Sequence, residues 1–187
     1  MSSVYRLIKI YATAACLSAI LLICSGWQAI ALAATGQAMI QGTSESSDIT
    51  GVVTLQDTDA GLLIEANLES GAIADHGFHI HEFGSCGDAG NGAGGHYNPD
   101  GVKHGKLITD GFAKAHAGDL GNISFTNGAA SYHETFPGLS LTGGKYAVAG
   151  HALIVHEKAD DFGQPTGNAG GRIGCGAIVL AAPRGGS

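Results

Sequence analysis

Positive charge is scarce in this chain: 9 Lys and Arg stand against 16 Asp and Glu, a net charge of −7 over 187 residues. Nucleic-acid binding needs basic patches, so the sequence implies no nucleic-acid partner. Cysteine is scarce as well. There are four, none in a C-x-x-C pair, which excludes a zinc ribbon. There is no internal repeat, and no stretch beyond the first 33 residues has a helical period that would suggest a bundle. The apolar run is confined to the N-terminus, roughly Ile10 to Ile23 and then Trp27 to Ala33. It follows a start that carries Arg6 and Lys9 but no acid, and it ends in Ala31-Leu32-Ala33. That order describes a secretory signal peptide over residues 1–33. The alternative is an uncleaved membrane anchor through residues 10–33, although Cys24-Ser25-Gly26 and Gln28 interrupt the run.

Cleavage after Ala33 leaves residues 34–187 as one domain, long enough for a real core. Losing two basic residues and no acid takes the net charge from −7 to −9. Attraction of a small anion then rests on a few basic residues placed at a site. Cys16 and Cys24 leave with the leader, and Cys86 and Cys175 remain. An exported protein with two cysteines most simply makes one disulfide.

What is present is glycine, 31 residues, set between short β-patterned runs. Thr35 to Gln41, Gly51 to Asp57, Gly61 to Leu68 and His76 to Phe83 read as strands. Ile123 to Thr126 and Ala129 to Thr135 read as a hairpin about Asn127-Gly128. Tyr146 to His156 reads as a long apolar strand, and Cys175 to Leu180 as the last. About eight short strands with close turns suggest an all-β antiparallel sandwich or flattened barrel. Two segments lack sustained strand periodicity: 84–121 and 157–171. Loops of that length in a compact domain are usually functional or disordered, and the first is rich in histidine.

His79 and His81 sit two apart on a predicted strand, so both rings point to one face. The following loop holds His96, His104, His116 and Asp119, and His156 ends a later strand. Three nitrogens and one oxygen suit tetrahedral zinc, and imidazole also suits copper. Six histidines and one aspartate exceed what one metal takes, so two adjacent metals are the economical reading.

The segments Gly77-Phe78-His79-Ile80-His81-Glu82-Phe83-Gly84 and Gly171-Arg172-Ile173-Gly174-Cys175-Gly176 resemble the two signatures of the copper–zinc superoxide dismutases. Gly95-His96-Tyr97-Asn98-Pro99, Lys103-His104-Gly105, the run from Ala115 to Asn122, the run from Val155 to Asp161 and Thr166 to Gly170 resemble family segments in family order. The resemblance covers nearly the whole mature chain. It implies a flattened eight-stranded Greek-key barrel and dismutation of superoxide to dioxygen and hydrogen peroxide through a copper redox cycle. His79, His81, His96 and His156 would bind copper. His96, His104, His116 and Asp119 would bind structural zinc, with His96 bridging. Asp160 would orient His79 and His104, Arg172 would hold the superoxide anion, and Cys86 would pair with Cys175.

Cys86 follows His81 by only five positions, closer to the bacterial secreted members than to the animal and plant enzymes. Phe162-Gly163-Gln164-Pro165 stands where those relatives carry a longer charged stretch, so substrate guidance would rest on Arg172 and Lys158, or on charges elsewhere. A homodimer is compatible with the family but its contact face is not implied. The expected location is the periplasm or the outside of the cell, with membrane association if the leader stays. His76 reads as a structural histidine inside the barrel end, His133 and His151 as surface or packing residues, and Asp161 as a loop residue. The alternative function is copper binding or delivery without turnover. Loss of a copper ligand, His96 or Arg172 would signal it, and all are present.

Overall fold

A computed structural model describes residues 33–71 and 73–182, all within the unit Ala33–Ser187. The leader expected at residues 1–33 lies outside these residues except for Ala33. Among the described residues nine strands form: β1 Thr35–Gly42, β2 Thr50–Thr58, β3 Gly61–Glu69, β4 Asp75–His81, β5 Asp119–Ser124, β6 Ala129–Phe136, β7 Ala152–His156, β8 Arg172–Ala177 and β9 Val179–Leu180. They run in the order β5-β4-β7-β8-β1-β2-β3-β6, every pair antiparallel, with β9 also on β1. β8 and β9 follow the same neighbour, β1, and are separated only at Ile178. They are one broken strand, so the nearly closed barrel has eight staves, as expected.

The alternation that suggested strands is what closes the core. In β1, Gly36, Ala38 and Ile40 point inward while Thr35, Gln37 and Met39 are exposed. Ile40, Val53, Leu55, Leu62, Ile64, Phe78, Ile80, Leu153 and Val155 belong to one buried cluster. Truncating Phe78 there would cost about 3–5 kcal/mol. β4 and β7 are buried on both faces except at the exposed Asp75. Phe78, Ile80, Leu153 and Val155 face the core, so by alternation His79, His81, Ala152, Ile154 and His156 lie on the outer face. Ala93, Ala152, Ile154 and Cys175 form a second buried cluster on that side. The loops therefore cover one part of the barrel wall, and the histidines lie beneath them.

Four strand expectations are corrected. Asn127 and Gly128 do make a turn, with φ of 53° and 84°, and Thr126 bridges Ala129. The hairpin stops there, because β5 pairs with β4 and β6 with β3. β5 begins at Asp119, earlier than the expected Ile123, because that segment pairs with the histidine strand. Tyr146 to His151 is not strand: Gly150 turns at φ 86° and Tyr146 stacks flat on Phe112 at 3.7 Å. The last strand starts at Arg172, opposite His156, and not at Cys175. The 84–121 loop also contains a 3-10 turn at Asn91–Ala93 and a single helical turn, α1, Leu107–Asp110.

Candidate metal centre

β4 delivers His79 and His81, and β7 delivers His156 from the neighbouring stave. The loop supplies His96, His104 and His116, and Asp119 opens β5 opposite His79. All seven are buried, Asp119 and His79 completely. They fall into two groups sharing one residue: His79, His81, His96 and His156, and His96, His104, His116 and Asp119. In each group the potential ligand atoms lie within 4.8 Å of one another. Every histidine and aspartate expected in the two sets is thus brought together. His133 is elsewhere, exposed and paired with Glu65. Asp161 turns its carboxylate to Asn168 and Gly163 in its own loop.

Hydrogen bonds at the far side of each ring determine which nitrogen is free. His79 Nε2–H donates to Asp160 Oδ2 at 2.8 Å, and His104 Nε2–H to Asp160 Oδ1 at 3.0 Å. His81 Nδ1–H donates to the Gly94 carbonyl at 3.0 Å and His156 Nδ1–H to that of Gly170 at 3.3 Å. His116 Nε2–H donates to Val102 O at 3.1 Å. Carboxylates and carbonyls only accept, so these outer nitrogens carry the hydrogens. In a neutral ring the inner nitrogen is then a lone pair.

Those lone pairs converge. His81 Nε2 and His156 Nε2 are 3.3 Å apart, and His79 Nδ1 is buried with no hydrogen-bond partner. In the second group, Nδ1 of His96, His104 and His116 lie 2.8, 3.0 and 3.0 Å from a single oxygen, Asp119 Oδ1. His104 Nδ1 is close to that oxygen yet makes no hydrogen bond, because its direction is wrong for one. With no cation there, ring protons satisfy the carboxylate, as in the bond between His96 Nδ1 and Asp119; a cation among these atoms would take the place of those protons. Ligands about 2.0–2.1 Å from a tetrahedral zinc stand about 3.3 Å from one another, close to the spacings found here. The donor set fits: three nitrogens and one oxygen for zinc, four nitrogens for copper.

The proton affinities divide in the same way. Burial, then the neighbouring His96, drives His81 down to about 2, and burial with His79 drives His156 to about 3. Arg172 adds to both depressions, so its charge is felt at these rings. Burial also takes His96 to about 4, against its bond to Asp119. His104 goes the other way. Burial lowers it, but Asp119 and Asp160 outweigh this and raise it to about 9. Burial alone would raise Asp119 and Asp160, yet the histidines hold both well below the usual carboxylate range.

Copper/zinc superoxide dismutase (SODC) is the family whose pattern matches residues 49–178. The chain belongs to that family. It is a copper–zinc superoxide dismutase, an oxidoreductase acting on superoxide with copper and zinc as cofactors. Its relatives include superoxide dismutase [Cu-Zn] A of Xenopus laevis, 40% identical over 71% of this chain and 91% of that protein. An extracellular superoxide dismutase [Cu-Zn] of Drosophila melanogaster is 37% identical over 73% of this chain and 79% of its own length. That of Caenorhabditis elegans is 34% identical over 71% of this chain but only 62% of its own length. The solved structure of the clock protein EA4 shares the fold with a TM-score of 0.70 at 30% identity, covering 83% of this chain and 99% of that one. These named relatives are animal proteins where an organism is given, so the bacterial affinity suggested by the Cys86 spacing does not rest on them.

Several supports of this dismutase site had no side-chain signal in the sequence. The carbonyls of Gly94, Gly170 and Val102 hold histidine rings. Gly94 O also accepts from Arg172 Nη2, and Gly90 O from Nη1, so one loop seats both a histidine and the arginine. Cys86 and Cys175 are joined, which ties that loop to β8. Closing a loop of 89 positions is worth roughly 4–5 kcal/mol on chain-entropy grounds. His76 Nδ1–H donates to His156 O, and His151 Nδ1–H to His81 O. His76 and His151, neither of them a ligand, thus brace the backbone of the copper group, a use the sequence did not reveal. In the shortened loop, Gln164 Nε2 donates to His104 O at 2.8 Å and His104 N donates to Gln164 Oε1 at 3.2 Å.

Proposed function

We propose that the chain dismutes superoxide at a two-metal centre joined by His96. Copper would be held by His79 Nδ1, His81 Nε2, His156 Nε2 and His96. Zinc would be held by the Nδ1 atoms of His96, His104 and His116 and by Asp119. The observation that carries this reading is that His96 alone belongs to both groups, with Nδ1 on the Asp119 side. When bound, copper supplies a one-electron couple that one superoxide reduces and the next reoxidises, while zinc is redox-inert and supplies fixed charge.

The chain's own residues handle the anion and the protons. Arg172 keeps its charge at any working pH. Loop carbonyls hold part of its fork, and further N–H groups remain to receive superoxide. Two superoxide ions and two protons give dioxygen and hydrogen peroxide. His96 Nε2, its only nitrogen not on the Asp119 side, would carry one of those protons when it is not a copper ligand and give it to the departing peroxide, water supplying the other. Asp160 keeps His79 and His104 in one tautomer each, so the proton that moves is the one on His96.

Export is supported by the Cys86–Cys175 disulfide and by the extracellular fly and worm relatives. Within that reading, residues 1–33 are the leader, residues 34–187 the domain, and the periplasm or the extracellular space its location. Retention of residues 10–33 as an anchor and assembly into a homodimer remain part of the proposal. Among the described residues, no helix is long and apolar enough to cross a membrane. The test is superoxide consumption by the domain loaded with copper and zinc, beside His156→Ala. The variant should lose activity and bind copper at least two orders of magnitude more weakly. That exceeds the about 10–100-fold cost of losing only an outer hydrogen-bond partner. Full activity would sink the copper assignment.

A further inference from the structure

β5 and β6 are the two ends of the sheet and do not pair with each other. The barrel therefore has a seam, and the strand carrying Asp119 is on its open side. β5 is also irregular where it matters. Gly77 pairs with Asn122 and His79 with Asp119, so Phe78 on β4 stands opposite two residues of β5, Leu120 and Gly121. This is a bulge, and Gly121 takes φ 96°, a conformation open to glycine. Bulges re-aim side chains. Here Asp119 stands directly before the bulge, at the point where the strand meets the cluster of imidazoles.

One side chain crosses the seam onto this bulge. Tyr132, on β6, packs its ring edge-on against Phe78 at 5.2 Å. Its hydroxyl donates to the Leu120 carbonyl at 3.1 Å. The ring therefore rests on the residue facing the bulge, and the hydroxyl holds the first bulged residue. The Asp119 carboxylate is separately fixed by amides, Gly105 N and His116 N both donating to Oδ2 at 2.9 Å. Those bonds hold the carboxylate end, while the bulge holds the backbone end.

We propose that Tyr132 is a positioning residue for zinc: its hydroxyl latches the Leu120–Gly121 bulge across the open seam and so pre-aims Asp119. This rests on the assignment of zinc to His96, His104, His116 and Asp119. The test is Tyr132→Phe, which keeps the ring on Phe78 and removes one oxygen. Zinc and copper affinities are measured separately on the metal-free domain by chelator competition, with amide exchange at Gly121 and Asn122. The latch predicts zinc affinity lower by about 5-fold, the scale of one lost hydrogen bond. Copper affinity should change by less than about twofold, because the β4–β7 pairing also holds His79, His81 and His156, and exchange at the two amides should quicken. Unchanged zinc affinity would overturn the proposal. So would an equal loss for both metals with a lowered melting temperature, which is what a merely structural seam residue gives. Asp119→Ala separates the two levels: zinc retained there would overturn the zinc set itself, whereas zinc lost there but unaffected in Tyr132→Phe would overturn only the latch.

Discussion

The two halves of the metal centre are built from different materials. Two staves, β4 and β7, carry His79, His81 and His156, and backbone carbonyls and Asp160 fix their outer nitrogens. The zinc half is held by a long loop and the bulged start of β5, and it contains a carboxylate. Strand geometry fixes the first half through the barrel core. The second is fixed by hydrogen bonds to Val102, Asp160, Gln164 and the amides on Asp119, with Ala115, Ala117 and Leu120 packed into the core beside it. The lesson is chemical as well as mechanical. In the strand half, burial drives the proton affinity of His81 and His156 far down, leaving lone pairs ready for a metal. In the loop half, Asp119 and Asp160 hold a proton on His104 that zinc must displace.

Asp160 is the side chain that spans this division, since it accepts from both His79 and His104. Asp160→Ala should therefore weaken both metals, each by about 10–100-fold. Loss confined to zinc would mean that the strand half needs no carboxylate to hold its tautomer. Acidity should separate the halves next. Each metal is titrated alone between pH 5 and 8. Zinc must displace the His104 proton, held to about 9, so its affinity should rise by about tenfold per pH unit as pH increases. His81, His156 and His96 carry no proton to displace there, so copper affinity should be flat. Equal slopes would erase the distinction. The smallest expected effect is at Gln164. Gln164→Ala removes two bonds to the His104 backbone and should cost zinc about 5–10-fold, with copper untouched. Weaker copper binding in that variant would show that the short loop supports both halves.

How much of this could be read from the chain alone follows the same division. His79 and His81 were legible because a period of two in a strand puts both on one face. The core alternation of β1 to β4 was legible for the same reason. The loop's three imidazoles and one carboxylate pointed to zinc by their chemistry, but the sharing of His96 between two sets came from resemblance, since spacing in a loop fixes no direction. Tyr146 to Gly150 misled, because apolar residues that stack outside the sheet look like strand in one dimension. The Asn127-Gly128 turn was real, but the partners of its strands are set by long-range register that no local signal carries. Backbone carbonyls such as Gly94 O were invisible for a simpler reason: every residue has one.

The central claim is that one ring, His96, serves both halves. The direct test is the copper spectrum of the copper-loaded domain before and after zinc is added, in the native chain and in His96→Gln. If His96 joins the metals, zinc shifts the copper spectrum in the native chain and leaves it unchanged in the variant. The same shift in both would show that the halves communicate without His96 and would contradict the account.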